Sequence, residues 1–85
     1  MNDKQFDGII MANNIRAERN RCKLSQEVAS KGINVSLTTY KSYENDAKNI
    51  TALALYELSL LFGCNVNDFY MAKHSTNVKF EEKIE

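Results

Sequence analysis

A chain of 85 residues with no proline, three glycines and a formal net charge of zero has room for one domain, and buries a smaller share of its surface than larger proteins do. Leu, Ala, Lys, Glu and Asn dominate its middle, which favours an all-helical fold. Its longest apolar tract, Leu53 to Phe62, is broken by Glu57 and is too short to span a bilayer, which excludes a membrane span; no apolar signal segment opens the chain, and the expected location is cytoplasmic.

Residues 1–8 read as a polar N-terminal extension, from which Phe6, Ile9 and Ile10 extend a helix only weakly because Gly8 interrupts them. The first helix is predicted from about Ile9 to Cys22. Ala12, Ile15, Arg19 and Cys22 mark its inner face, with Arg16, Asn20, Arg21 and Lys23 elsewhere. Ser25 before Gln26 and Glu27 is the N-cap signal of a second helix, and Ser36 before Leu37 is another only eleven residues later. Between them Asn34 tolerates the left-handed conformation that a sharp turn needs. Two helices that close form a compact corner, a candidate helix-turn-helix.

In the second helix Ala29 and Ile33 share a face, Ser30 lets a neighbour approach, and Gln26 and Lys31 are left for solvent or a ligand. In the third, Val35, Tyr40 and Tyr43 point to the core, so Leu37, Thr38, Lys41 and Ser42 form the outward face. Asn45 to Asn49 reads as a polar loop. Thr51 caps a fourth helix that Gly63 ends after Phe62, with Leu55, Leu58, Ser59 and Phe62 inward. Asn65 caps a fifth, single-turn helix with Asp68 completing a capping box, and Val66, Phe69 and Tyr70 close the core. The expectation is a compact all-α five-helix bundle over residues 9–71, followed by a polar tail over 72–85 in which Val78 and Phe80 alternate with charge.

Charge is unevenly distributed. Residues 12–50 carry Arg16, Arg19, Arg21, Lys23, Lys31, Lys41 and Lys48 against Glu18, Glu27, Glu44 and Asp46, an excess of three positive charges that coincides with the candidate helix-turn-helix. A polyanion such as DNA requires such a footprint. Cys22 and Cys64 are too few and too far apart in sequence for a metal site and read as buried, unoxidised thiols. His74 has no partner pattern. No nucleophile with a base, no paired acids and no glycine-rich phosphate loop occurs, so neither an enzyme nor a cofactor is expected. On the fourth helix Leu53, Glu57 and Leu60 lie away from the inner stripe and, with Tyr56, form a candidate homodimer or partner-protein surface.

Taken together, Ile15-Arg16-Ala17-Glu18-Arg19, Leu24-Ser25-Gln26-Glu27, Val35-Ser36, Tyr43-Glu44-Asn45 and the last two helices around Gly63 resemble the phage Cro and repressor type of regulator, the XRE family. The resemblance runs without a gap over about residues 9–71. It implies a lambda-repressor-like DNA-binding fold with the third helix in the major groove and the second crossing the backbone above it. Carried over by position, Gln26 matches a phosphate or base-edge contact, Leu37, Thr38 and Ser42 match base readers, and Asn45 matches a phosphate contact. Ser36, which caps the third helix, and Lys41 on its outward face complete the candidate DNA-binding set. Arg19 and Glu44 match a structural ion pair.

The chain departs from the pattern at Ala29, Ser30 and Asn34, where leucine, alanine and glycine are usual, and at Asp46 and Ile50, where glycine and proline are. Leu37 and Ser42 replace the usual glutamine or arginine readers, and leave contact with a thymine methyl and DNA shape as sources of preference. The resulting expectation is a sequence-specific regulator that binds double-stranded DNA as a homodimer. Its rival is a protein-interaction module that keeps the fold and binds a partner protein through the fourth helix and the tail.

Overall fold

The structure, a computed structural model, describes residues 7–71. Expectations for Phe6, His74 and the Val78–Phe80 tail lie outside the described residues. Four α-helices follow one another: α1 (Gly8–Arg21), α2 (Gln26–Gly32), α3 (Leu37–Asn45) and α4 (Ala52–Phe62). Two 3-10 turns, Ala47–Asn49 and Val66–Phe69, complete the described residues, which contain no strand. The all-helical fold is as expected, but the fifth helix is a 3-10 turn.

Local chemistry explains where each helix starts. Ser25 Oγ accepts from Val28 N at 3.1 Å, Ser36 Oγ from Thr39 N at 3.0 Å and Thr51 Oγ1 from Ala54 N at 3.0 Å. Each satisfies an amide that the helix itself leaves open, a contribution of about 1 kcal/mol. Asp7 does the same for α1, accepting from Ile9 N at 2.9 Å, and so starts that helix one residue earlier than the apolar pattern indicates. Gly63 closes α4 at φ 68°, and the Asn65–Asp68 capping box forms around the second 3-10 turn. Asn34 takes φ 60°, as its place in the corner requires; Lys23 takes the same value between α1 and α2, which its sequence context does not signal.

α1 packs against α3 and both 3-10 turns, while α4 packs on α2. Met11, Ile15, Tyr40, Leu58 and Phe69 are the largest apolar side chains sealed in the core. The inner face of α1 is wider than its apolar stripe, because Met11, Asn14 and Glu18 are buried while Arg19 and Cys22 are only part-buried. Tyr70 is exposed and does not close the core.

The segment after α3 is more than a polar loop, since Ala47 within it is completely buried. Asp46, in the place of the usual glycine, has extended backbone (φ −161°) and accepts from Lys48 N at 3.1 Å, so it caps the first 3-10 turn. This turn lies so close to the start of α1 that a Cβ on Gly8 would clash with Asp46 Oδ1 and meet Lys48 N at 2.7 Å. Gly8 therefore serves this close approach between α1 and the turn.

Candidate nucleic-acid interface

α3 is fixed from behind by one carboxylate. Glu44 is only 3 % exposed, and Arg19 reaches it with two donors, Nε to Oε2 at 2.7 Å and Nη2 to Oε1 at 3.0 Å. The Tyr40 hydroxyl also donates to Oε2, and Gln26 Nε2 donates to Oε1 at 3.0 Å. Arg19 Nη1 donates in addition to Leu24 O at 2.8 Å, so one guanidinium ties α1 to α3 and to the chain leading into α2.

The electrostatics follow from this arrangement. Burial by itself would push the Glu44 carboxyl up, but hydrogen bonds from Arg19, Tyr40 and Gln26 and the nearby guanidinium charge outweigh it and hold the carboxyl below its ordinary value. The Tyr40 phenol is pushed up, first by burial and then by its bond to the Glu44 carboxylate. Arg19 is raised, chiefly by its hydrogen bond to Glu44. The carboxylate is thus charged, paired and fully surrounded by donors, the condition under which a buried ion is tolerated.

In front of this network lies an open concavity of about 500 Å³, lined by Arg16, Gln26, Thr38, Lys41, Ser42, Glu44 and Asn45. Three helices contribute to it. Gln26 is not simply left to solvent, because one of its N–H groups is committed to Glu44; the second N–H and the carbonyl remain for a ligand. Arg16, which the sequence places merely off the inner face, is set at the rim by Nη2 donating to Glu44 O at 2.7 Å and Nη1 to Asn13 Oδ1 at 3.0 Å. Its three-residue spacing from Arg19 was the available signal, since both then point from α1 toward α3. The side chains of Thr38 and Lys41 are exposed and make no hydrogen bond or ion pair among the described residues.

The remaining candidates are placed as follows. Ser36 Oγ accepts from Thr39 N and donates to Thr39 Oγ1 at 3.0 Å, so it is occupied with capping α3. Leu37 is exposed at the start of α3, outside the lining of the concavity. Asn45 ends α3 inside that lining. Ion pairing uses one acid per base and leaves the basic excess unchanged: Arg19 and Arg21 pair with Glu44 and Glu18, Lys31 lies 3.7 Å from Glu27, and Arg16 Nε lies 3.9 Å from Glu44 Oε1 as a second cation on that carboxylate. Arg16 and Lys41 are the basic residues that line the concavity.

On α4 Leu53, Tyr56 and Leu60 are 64 %, 55 % and 63 % exposed. Leu53 also borders a groove of about 280 Å³ with Ile33, Val35, Tyr43 and Glu57. Cys22 and Cys64 form no disulfide and are part-buried rather than buried; Cys22 Sγ donates to Phe62 O at 3.3 Å. Folding also gathers one ligand-type atom each from Glu18, Cys64 and Asp68 within 4.8 Å, which sequence spacing does not anticipate. There Arg21 Nε binds Glu18 Oε1 at 2.7 Å, and Asp68 Oδ2 accepts from Asn65 N at 3.0 Å, so both carboxylates already serve the fold. Among the described residues no helix is long and apolar enough to cross a membrane.

Two capped helices joined by a left-handed asparagine, with the Thr38 and Lys41 side chains unbonded on the outer face of the second, define a helix-turn-helix protein. A helix-turn-helix family model matches residues 15–69, more than half of the chain, and the protein belongs to this XRE-type, Cro/repressor-like family. It is a family of DNA-binding regulators and not of enzymes. No curated protein and no solved structure shows significant similarity to the chain.

Proposed function

We propose that the protein is a sequence-specific transcriptional regulator that acts in the cytoplasm and binds double-stranded DNA with α3 in the major groove. The observation that carries this reading is the concavity in front of Glu44, where Arg16, Gln26, Lys41 and Asn45 present donors around the outer face of α3. Phosphate contacts by Arg16, Gln26 and Asn45 fix the register, and Leu37, Thr38, Lys41 and Ser42 face base edges. Ser36 acts through the start of α3 that it caps. Binding to duplex DNA should weaken steeply with salt, and Lys41→Glu should lower both the affinity and the salt slope. A wild type whose weak binding is indifferent to salt and to Lys41→Glu would overturn the proposal.

A second reading is favoured by the exposure of Leu53, Tyr56 and Leu60. Spaced by three and four residues, they form one stripe on α4 that suits a second copy of the chain. A homodimer would set two α3 helices on half-sites about 34 Å apart, one helical turn of DNA. The same stripe would serve the rival protein-interaction module. Sedimentation should show association of the wild type that Leu60→Glu abolishes; a wild type that stays monomeric at high concentration removes this reading and leaves DNA binding standing.

A further inference from the structure

Leu37 and Ser42 present an unusual chemistry to a base edge. The Ser42 hydroxyl donates to Thr39 O at 2.6 Å, so its proton is turned back into α3 and only lone pairs face the concavity it lines. Leu37 opens α3 with an apolar side chain that is 38 % exposed. Neither residue offers a donor. In the major groove guanine presents two acceptors, N7 and O6, and is read by donors, whereas adenine N6 and cytosine N4 are amino donors and only thymine carries a C5-methyl group; an acceptor thus disfavours guanine, and an apolar contact picks out the A·T pair.

We propose that α3 selects A·T pairs, with Leu37 packed on a thymine C5-methyl and Ser42 Oγ accepting from an adenine N6 amino group. This assignment rests on the DNA-binding reading above. Five residues of helix at 1.5 Å each separate the two side chains by about 7.5 Å along α3. That is about two base-pair steps of 3.4 Å, so the two residues address different A·T pairs of one half-site. Lys41, a single charge between them, supplies attraction to phosphate or to a guanine beyond these pairs.

The experiment starts from duplexes that the full chain selects from a random library. Each thymine is replaced by deoxyuridine, which removes only the methyl group, and each adenine by purine, which removes only the N6 amino group. At one thymine per half-site, loss of the methyl should weaken wild-type binding about fourfold. Leu37→Ala should bind the two duplexes equally. At one adenine, purine should weaken the wild type and leave Ser42→Ala unaffected. Sequence-selective binding in which the wild type tolerates every such replacement overturns the assignment and keeps DNA binding. Indifference to one kind of replacement alone overturns the role of the corresponding residue. No enrichment of any sequence overturns the DNA-binding reading itself. The wild-type scans need no variant to fold.

Discussion

The two sides of α3 follow opposite rules. Behind the helix, Glu44 meets two donors from Arg19, one from Tyr40 and one from Gln26, and every contact ties α3 to its own turn or to another helix. In front, Thr38 and Lys41 have no partner among the described residues, and Ser42 bonds only to its own helix. The saturated side fixes α3 against α1 and α2, and the open side has polar side chains that bond to no other helix. Under the proposed function, stability and recognition fall on different atoms of one nine-residue helix.

The sharpest way to break this division is to remove a partner from the saturated side. Arg19→Ala leaves the buried Glu44 carboxylate without its hydrogen-bonded cation, with Arg16 Nε at 3.9 Å as the remaining one, and Glu44→Ala leaves the Arg19, Tyr40 and Gln26 donors unmatched. Each should cost about 3–5 kcal/mol. Thermal melts should then fall by more than about 10 °C for a domain of this size, and an unchanged melting temperature would refute the role given to the pair. Acid provides an independent probe of the same carboxylate. Its pKa in the folded chain lies below the ordinary 4.5, so the stability it contributes is complete above that value and is lost as pH falls through the folded pKa. Melting temperatures of wild type and Glu44→Gln should therefore differ most near neutral pH and converge as the solution is acidified below 4.5. A gap that stays constant to low pH would remove the ionised carboxylate from the account.

A buried polar contact of another kind should give a smaller effect. Asn14 Nδ2 donates to Phe69 O at 3.0 Å and to Met71 O at 2.6 Å, joining the middle of α1 to the end of the described chain. Asn14→Ala removes these bonds and leaves carbonyls poorly satisfied, a loss of about 1–3 kcal/mol. Urea unfolding with an unchanged midpoint would show that water replaces the amide. Because this contact lies away from the concavity, DNA affinity at a temperature where the variant is folded should stay at the wild-type level.

What the sequence disclosed and what it hid divide by distance along the chain. Ser25, Ser36 and Thr51 are legible as caps because the amide each satisfies lies three residues on. Asn34 and Gly63 are legible because few residues tolerate positive φ. Asn14 was missed because its partners lie 55 and 57 positions away, and a polar residue in a polar stretch gives no sign of burial. Ala47 was hidden in the same way, as a small apolar residue among polar neighbours that the approach of α1 seals off. Helical periodicity defines the outer face of α3, but not the direction of the Ser42 proton or the inward turn of Gln26. Those depend on which acceptor each side chain meets after folding. Arg16 belongs with them, since its place at the concavity follows from the carbonyl that α3 ends on.

The smallest expected effect tests the open side. Thr38→Ala and Lys41→Ala remove no internal partner, and Ser42→Ala removes a bond to the i−3 carbonyl of a kind that stabilises a helix little. Exposed substitutions of this sort change stability by no more than about 0.5 kcal/mol. The three variants should therefore melt within a few degrees of the wild type while binding duplex DNA more weakly. This pattern is the reverse of that expected for Asn14→Ala. If Lys41→Ala or Thr38→Ala instead melted as low as Arg19→Ala, the outer face would be holding the fold together, and α3 could not be a helix whose two sides are assigned to separate tasks. Equal melting with weakened binding is the result that separates the surface that recognises from the network that holds it.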